Sequence, residues 1–229
     1  MIKRKGFTLI EVLATIALLS VIAVIIYPNM ARYFNKSKDD AFQIQIDEIK
    51  KAAHEWTLKN PKFLPEKKGE SITIFLLDLK KNGLIDINLM NPETNKKFPD
   101  DMVIMIIKTD KGFEYEVDVD SGTEEDDTDL DKPSIILKGL PYQYVEINSI
   151  YKEYGAIAID SKGENIDEDE IKITITRENI KQTEIKTNDF YEYEVSYEVT
   201  DPYNGKKAKA IRKVKIRDTE PPVLKIPVN

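Results

Sequence analysis

Residues 5–27 read KGFTLIEVLATIALLSVIAVIIY and contain the longest apolar run of the chain. Within residues 7–27 this run is interrupted by only four polar residues: Thr8, Glu11, Thr15 and Ser20. As a helix, the 21 residues 7–27 would be roughly 32 Å long, enough to cross the hydrocarbon core of a bilayer. We therefore predict a long amino-terminal helix over 7–60 that spans a membrane over about 7–27.

The segment before this run, residues 1–6, contains Lys3, Arg4 and Lys5 and no acidic residue. Basic residues beside a span stay in the cytoplasm, so this pattern places the rest of the chain outside the cell. The run can be a secretory signal peptide, a plain signal anchor or a segment with a processed leader. The first is disfavoured because the run is long and no small-residue cleavage site follows it. Glu11 is a candidate functional residue, because a carboxylate within a span costs on the order of 3 kcal/mol at the helix centre and less near an end. The alternative is that Glu11, near the cytoplasmic end, only reaches the membrane interface.

The stretch KGFTLIE at residues 5–11 resembles the processing site of type IV prepilins and pseudopilins. This resemblance implies that a prepilin peptidase cuts between Gly6 and Phe7, removing the leader 1–6, and that Phe7 is then N-methylated. Glu11 matches the family's glutamate, and Pro28 matches the proline that often kinks the helix where it leaves the membrane. The implied partners are the peptidase, other pilin subunits and the pilus assembly platform. The implied location is the cell membrane for the precursor, and then an extracellular filament on the cell surface.

The chemistry of Glu11 is consistent with this resemblance. Cleavage would leave an amine on Phe7, and a lone amine or carboxylate in an apolar filament core is costly. Pairing Glu11 of one subunit with the Phe7 amine of a neighbour would remove both penalties and set the axial register. Such a pair would act more through specificity than through net stability.

Apolar residues continue at helical spacing beyond the proposed span: Phe42, Ile46, Ile49, Ala53 and Trp56. We predict that this stripe packs on the chain's own domain, and a coiled coil with another chain is the alternative. A proline at position 61 should end the helix.

Residues 61–121 are predicted to form the small antiparallel sheet that the pilin resemblance implies. Residues 71–83 are read as a short helix between a Ser71 N-cap and a carboxy-terminal Gly83. An apolar strand over 102–108 and an alternating strand over 112–120 are predicted to form a hairpin.

Residues 122–132 are strongly acidic, and the stretch 113–131 contains ten carboxylates and no Lys or Arg. We interpret 122–132 as a solvated linker between two domains. Calcium is the alternative, since it prefers oxygen ligands, although the spacing does not match an EF-hand loop. No other cofactor is expected.

Short alternating strands with turns between them occupy 133–222, which predicts a β-sandwich, and residues 223–229 form a tail. The segments 151–163, 191–201 and 212–222 resemble bacterial surface Ig-like repeats. The predicted fold class is therefore α+β: a long helix on a small antiparallel sheet, followed by an all-β Ig-like sandwich. Five tyrosines offer a binding face there, although core or ordinary surface is the simpler interpretation: Tyr142, Tyr144, Tyr151, Tyr154 and Tyr203.

Composition excludes several classes of function. A net charge of −7 argues against direct nucleic-acid binding. One His, no Cys and no recognisable nucleophile or phosphate-loop motif argue against an enzyme. The sequence therefore predicts a pilin-like subunit, with its size favouring a minor one. The alternatives are an adhesin whose Ig-like domain binds a surface ligand, and a pseudopilin of a type II secretion or DNA-uptake machine.

Overall fold

A computed structural model of the protein describes residues 9–123 and 128–219. Over residues 23–35 it describes the helix backbone but not the side chains. The described residues belong to two compact units, 9–47 with 90–96, and 48–89 with 97–123 and 128–219. Every strand described below belongs to the second unit. The α+β class predicted from the sequence is confirmed.

The first helix, α1, is Leu9–Lys59, and it ends where the proline at position 61 was predicted to stop it. On its last turns Ile49, Ala53 and Trp56 are buried. The Trp56 ring stacks on Phe63 with 6.3 Å between ring centroids. These contacts confirm that this part of the apolar stripe packs on the chain's own fold.

No helix within the described part of the chain is long and apolar enough to cross a membrane. The predicted span 7–27 is covered only in part, because residues 7 and 8 and the side chains of 23–27 lie outside what the structure describes.

The described residues form a second helix, α2 (Leu76–Lys81), and eleven strands. The strands are β1 (Ser71–Phe75), β2 (Val103–Thr109), β3 (Gly112–Asp118), β4 (Ser134–Lys138), β5 (Tyr142–Glu146), β6 (Ala156–Ile159), β7 (Asn165–Ile166), β8 (Lys172–Arg177), β9 (Ile180–Gln182), β10 (Glu192–Thr200) and β11 (Lys207–Arg217). They make a six-stranded sheet in the order β3-β2-β1-β4-β6-β7 and a five-stranded sheet in the order β5-β11-β10-β8-β9.

The two sheets share a hydrophobic core. Ile135 and Leu137 on β4 and Ala158 on β6 belong to the same buried cluster as Val195 on β10 and Val214 on β11. Because alternate residues of a strand point to opposite faces, each strand gives the core one of its faces. Residues 133–222 thus contribute strands to both sheets around this core. All strand pairs are antiparallel except β5 with β11, which run parallel.

The predicted helix over 71–83 is wrong in its first half. Residues Ser71–Phe75 form the strand β1, which pairs with β2 on one side and β4 on the other. The β-branched residues at positions 72–74 favour a strand, and this double pairing outweighs the helix signal of a Ser N-cap. The second half is helical, since α2 follows directly and the Asp78 carboxylate accepts a hydrogen bond from Phe75 N at 2.8 Å. The predicted terminal glycine, Gly83, has φ +64°.

The six-stranded sheet contains strands from both sides of the predicted linker at 122–132. β1 pairs with β4 through Ile72 opposite Lys138 and Thr73 opposite Leu137. The Thr73 hydroxyl also donates to Gly139 O at 3.0 Å. Strands from 61–121 and strands from 133–222 therefore belong to one six-stranded sheet.

The ends of the acidic segment are held by hydrogen bonds. Thr123 N and Oγ1 donate to the Asp101 carboxylate at 2.7 and 2.9 Å. Gly122 has φ +96°, and a Cβ there would lie 2.7 Å from an Asp101 oxygen. Lys206 Nζ lies 2.7 Å from Asp129, and this hydrogen bond lowers the pKa of the Asp129 carboxyl. The acidic run at 124–127 lies outside the described residues.

Candidate functional site

The amino-terminal part of α1, residues 9–22, exposes a continuous apolar surface. Nine large aliphatic side chains are exposed: Leu9, Ile10, Val12, Leu13, Ile16, Leu18, Leu19, Val21 and Ile22. Leu9 is 80% exposed and Ile10 is 76% exposed. At about 100° per residue these positions cover the whole circumference of the helix. A helix that is apolar all round is normally buried.

The two hydroxyl groups of this segment are hydrogen-bonded within the helix. Thr15 Oγ1 donates to Val12 O at 2.8 Å, and Ser20 Oγ donates to Ile16 O at 2.8 Å. Such bonds to a carbonyl one turn earlier satisfy a hydroxyl without an outside partner. Thr15 and Ser20 therefore do not interrupt the apolar character of the surface.

Glu11 is the single ionisable residue between positions 9 and 22. It is exposed and lies in the first described turn of α1. The surface therefore combines an apolar circumference with one acidic group near its amino-terminal end.

The other predicted site residues are covered unequally. Gly6 and Phe7 lie outside the described residues. The backbone of α1 remains helical through Pro28, while the side chain of Pro28 is not described. Since proline has no backbone N–H, that turn lacks one helix hydrogen bond.

Of the five tyrosines proposed as a binding face, Tyr151, Tyr154 and Tyr203 are not among the residues that line the groove containing the other two. Tyr142 and Tyr144 line a groove of about 610 Å³ on the five-stranded sheet. Tyr151 donates to Glu153, and burial raises its pKa to about 12. Tyr203 lies under the Lys162 ammonium, 3.3 Å from the ring centroid.

Phe190 and Arg177 also line the groove on the five-stranded sheet, and neither was predicted as a site residue from the sequence. The signal that could have located the groove is the pair Tyr142 and Tyr144, two positions apart on one strand and therefore on one face.

The described residues offer no metal centre. Over 9–123 and 128–219 no group of three or more His, Asp or Glu side chains is arranged to hold a metal ion. The densest acidic run, Glu124–Asp127, lies outside those ranges. Calcium thus stays a hypothesis from the sequence.

Comparison with known proteins gives two findings. Residues 1–27 match the family model of the prokaryotic N-terminal methylation motif. A stretch of 120 residues, 52% of this chain, is 29% identical to the prepilin peptidase-dependent protein A of Clostridium perfringens (strain 13 / Type A), of which it covers 81%. The chain thus carries a prepilin-type amino terminus and is similar to a protein named for its dependence on prepilin peptidase.

Proposed function

We propose that this chain is a type IV pilin-like or pseudopilin subunit, cut between Gly6 and Phe7 by a prepilin peptidase, N-methylated at Phe7 and assembled through α1 into an extracellular filament. The observation that carries the proposal is the coincidence of two features. The methylation motif matches residues 1–27, and the helix that follows presents an apolar circumference with one carboxylate.

The apolar surface of residues 9–22 keeps this part of α1 out of water, both before and after assembly. Full burial of one large aliphatic side chain contributes about 1.5–3 kcal/mol. With nine such side chains exposed, burial would contribute on the order of 10 kcal/mol per subunit. In the precursor the lipid covers this surface, and in the filament the same helix of neighbouring subunits covers it.

The carboxylate of Glu11 supplies specificity. Cleavage after Gly6 removes the three leader cations and creates an amine on Phe7, four residues before Glu11 in the chain. Pairing of that amine with Glu11 of a neighbour neutralises both groups in the apolar core. Any other axial register leaves a carboxylate in an apolar environment, so the pair selects one register.

We propose that the second compact unit, which contains both sheets and is called the two-sheet unit below, is displayed on the filament surface. Its role there is structural rather than enzymatic. The shared core of the two sheets supports an Ig-like classification of residues 133–222. The additional bulk favours a minor subunit. An adhesin is the second candidate, because the groove on the five-stranded sheet offers an exposed surface lined by Tyr142 and Tyr144.

Filament incorporation of variants of the full chain tests the proposal. In cells with a filament machinery, Glu11→Ala should leave the processed chain in the membrane and lower its amount in the sheared filament fraction at least tenfold. The matched control is Glu55→Ala, which changes another exposed glutamate of α1 and should leave incorporation unchanged. Equal incorporation of Glu11→Ala and the unchanged chain would contradict the pairing role of Glu11.

A further inference from the structure

The five-stranded sheet carries an open groove on the face that points away from the core. The groove has a volume of about 610 Å³, within the roughly 300–1,000 Å³ usual for ligand sites. It is lined by Tyr142 and Tyr144 on β5, Lys213 and Lys215 on β11, and Phe190 just before β10. We name this surface the outer groove.

Strand register places the groove side chains in two parallel rows. In the first row Lys213 lies opposite Tyr142 on one side and Glu194 on the other. In the second row Lys215 lies opposite Tyr144 and Glu192. Each row therefore runs from an aromatic ring to an ammonium and then to a carboxylate.

The lysines of β11 alternate with core residues. Val214 and Ile216 are buried in the core, so Lys213 and Lys215 point to the outer face. The outer groove is therefore formed by the regular alternation of the sheet, which holds its side chains on a rigid base.

Large aromatic surfaces are exposed in the outer groove. Tyr144 is 61% exposed and Phe190 is 64% exposed. The Arg217 guanidinium lies 3.8 Å from the ring centroid of Tyr144, and that of Arg177 lies 4.1 Å from the centroid of Tyr191. These cation–π contacts restrain the two tyrosine rings, so a ligand that packs on their free surface loses little side-chain entropy.

The lining carries no net charge. Three basic side chains, Arg177, Lys213 and Lys215, are matched by three acidic ones, Glu178, Glu192 and Glu194. A balanced lining gives no electrostatic attraction to a nucleic acid or another polyanion. It offers donors and acceptors side by side, which suits hydroxyl groups, because each hydroxyl both donates and accepts.

From these features we infer that the outer groove binds a neutral polysaccharide chain. The apolar C–H face of a sugar ring packs on Tyr144 or Phe190, while its hydroxyls bond to the lysine and glutamate side chains of the two rows. Because the groove is not an enclosed cavity, it can admit part of a polymer chain. This site belongs to the five-stranded sheet alone, so it is independent of processing at Phe7.

Affinity electrophoresis of the full chain tests this inference. The chain is kept in a non-ionic polyoxyethylene detergent, which carries no sugar, and run in native gels cast with dextran, starch, galactomannan or hydroxyethyl cellulose. At least one of these neutral polymers should retard the chain. Tyr144→Ala and Phe190→Ala should each weaken the retardation about tenfold, the loss expected for one well-packed aromatic contact.

The matched control is Tyr203→Ala. Tyr203 is 57% exposed and also lies beside a cation, but it is not among the groove residues. Its replacement should leave the retardation unchanged, and unchanged melting temperatures should show that all three variants are folded. Lack of retardation in all four gels would overturn the inference and leave the groove to a protein ligand. Tyr203→Ala weakening the retardation as much as the groove variants would also overturn it. So would stronger retardation in a further gel cast with the polyanion alginate than in the neutral gels.

Discussion

Replacing Arg212 by Met should destabilise the two-sheet unit by about 4 kcal/mol. The Arg212 side chain is 0% exposed. Its Nε donates to Leu140 O at 3.2 Å, and its Nη1 donates to the Tyr197 hydroxyl at 2.7 Å. It also donates to Lys138 O and pairs with Glu153. Since β4 ends at Lys138 and Tyr197 lies on β10, Arg212 connects the two sheets.

The magnitude follows from these partners. Losing a hydrogen bond to each of three neutral acceptors costs about 1 kcal/mol apiece, and losing a bond to a charged group costs about 1.5–3 kcal/mol. The Glu153 side chain is 26% exposed, so water recovers part of the charged contribution. Methionine fills most of the space left by the arginine stem and adds no polar group.

Urea denaturation of the full chain in detergent, followed by the fluorescence of the single tryptophan, Trp56, measures this loss. With a slope of about 2 kcal/mol/M, a loss of 4 kcal/mol should lower the midpoint by about 2 M. Adding Glu153→Gln to Arg212→Met should cost less than the sum of the single changes, because the double variant leaves no unpaired carboxylate.

The matched control is Lys209→Met, which removes an exposed cationic side chain of the same strand. Its midpoint should change by less than about 0.3 M, as expected for a surface substitution. A midpoint for Arg212→Met within the same range, or an equal loss in both variants, would refute the role assigned to Arg212.

Three further predictions concern pH and the sheet. Burial alone would raise the pKa of Asp201, but hydrogen bonds from the backbone N–H groups of Ser161, Tyr203 and Asn204 outweigh it and lower this pKa to about 2 from 3.8. Stability should therefore fall as the pH is lowered from 4 to 2. Asp201→Asn should flatten this fall in melting curves. Burial raises the pKa of Tyr151 to about 12 from 10.0. The contribution of its neutral hydroxyl to stability is present below pH 10 and is lost as the pH rises to 12. Tyr151→Phe should therefore flatten the alkaline fall in the urea midpoint. Thr73→Val removes the hydrogen bond to Gly139 O and should lower the free energy of unfolding by about 1 kcal/mol. Urea titration would detect this loss. The control Thr200→Val, at an exposed position, should not show it.

The elements predicted well from sequence are those determined by local patterns. The hairpin of β2 and β3 was predicted from an apolar run and an alternating run joined by a short turn, and Thr109 does pair with Gly112. β10 buries Tyr193, Val195, Tyr197 and Val199, the apolar face that the sequence indicated, and Ser196 is buried as well. In both cases the residues that form the element are neighbours in the chain.

The misread elements depend on distant partners. Ser71–Phe75 is a strand because β4, more than 60 residues later, pairs with its free edge. No local pattern shows that strands before residue 122 and strands after residue 132 join the same sheet. The outer groove was missed for the same reason, since Tyr144 and Lys215 become neighbours only through the parallel pairing of β5 with β11.

The central claim, that the chain is processed as a prepilin, is tested most directly by the mass of its amino-terminal peptide. The protein should be isolated from cells that contain an active prepilin peptidase, and from matched cells that lack it. The account predicts a chain that begins at N-methylated Phe7 in the first cells and at Met1 in the second. A chain that begins at Met1 in both would contradict it and leave a plain membrane anchor as the interpretation of the amino terminus.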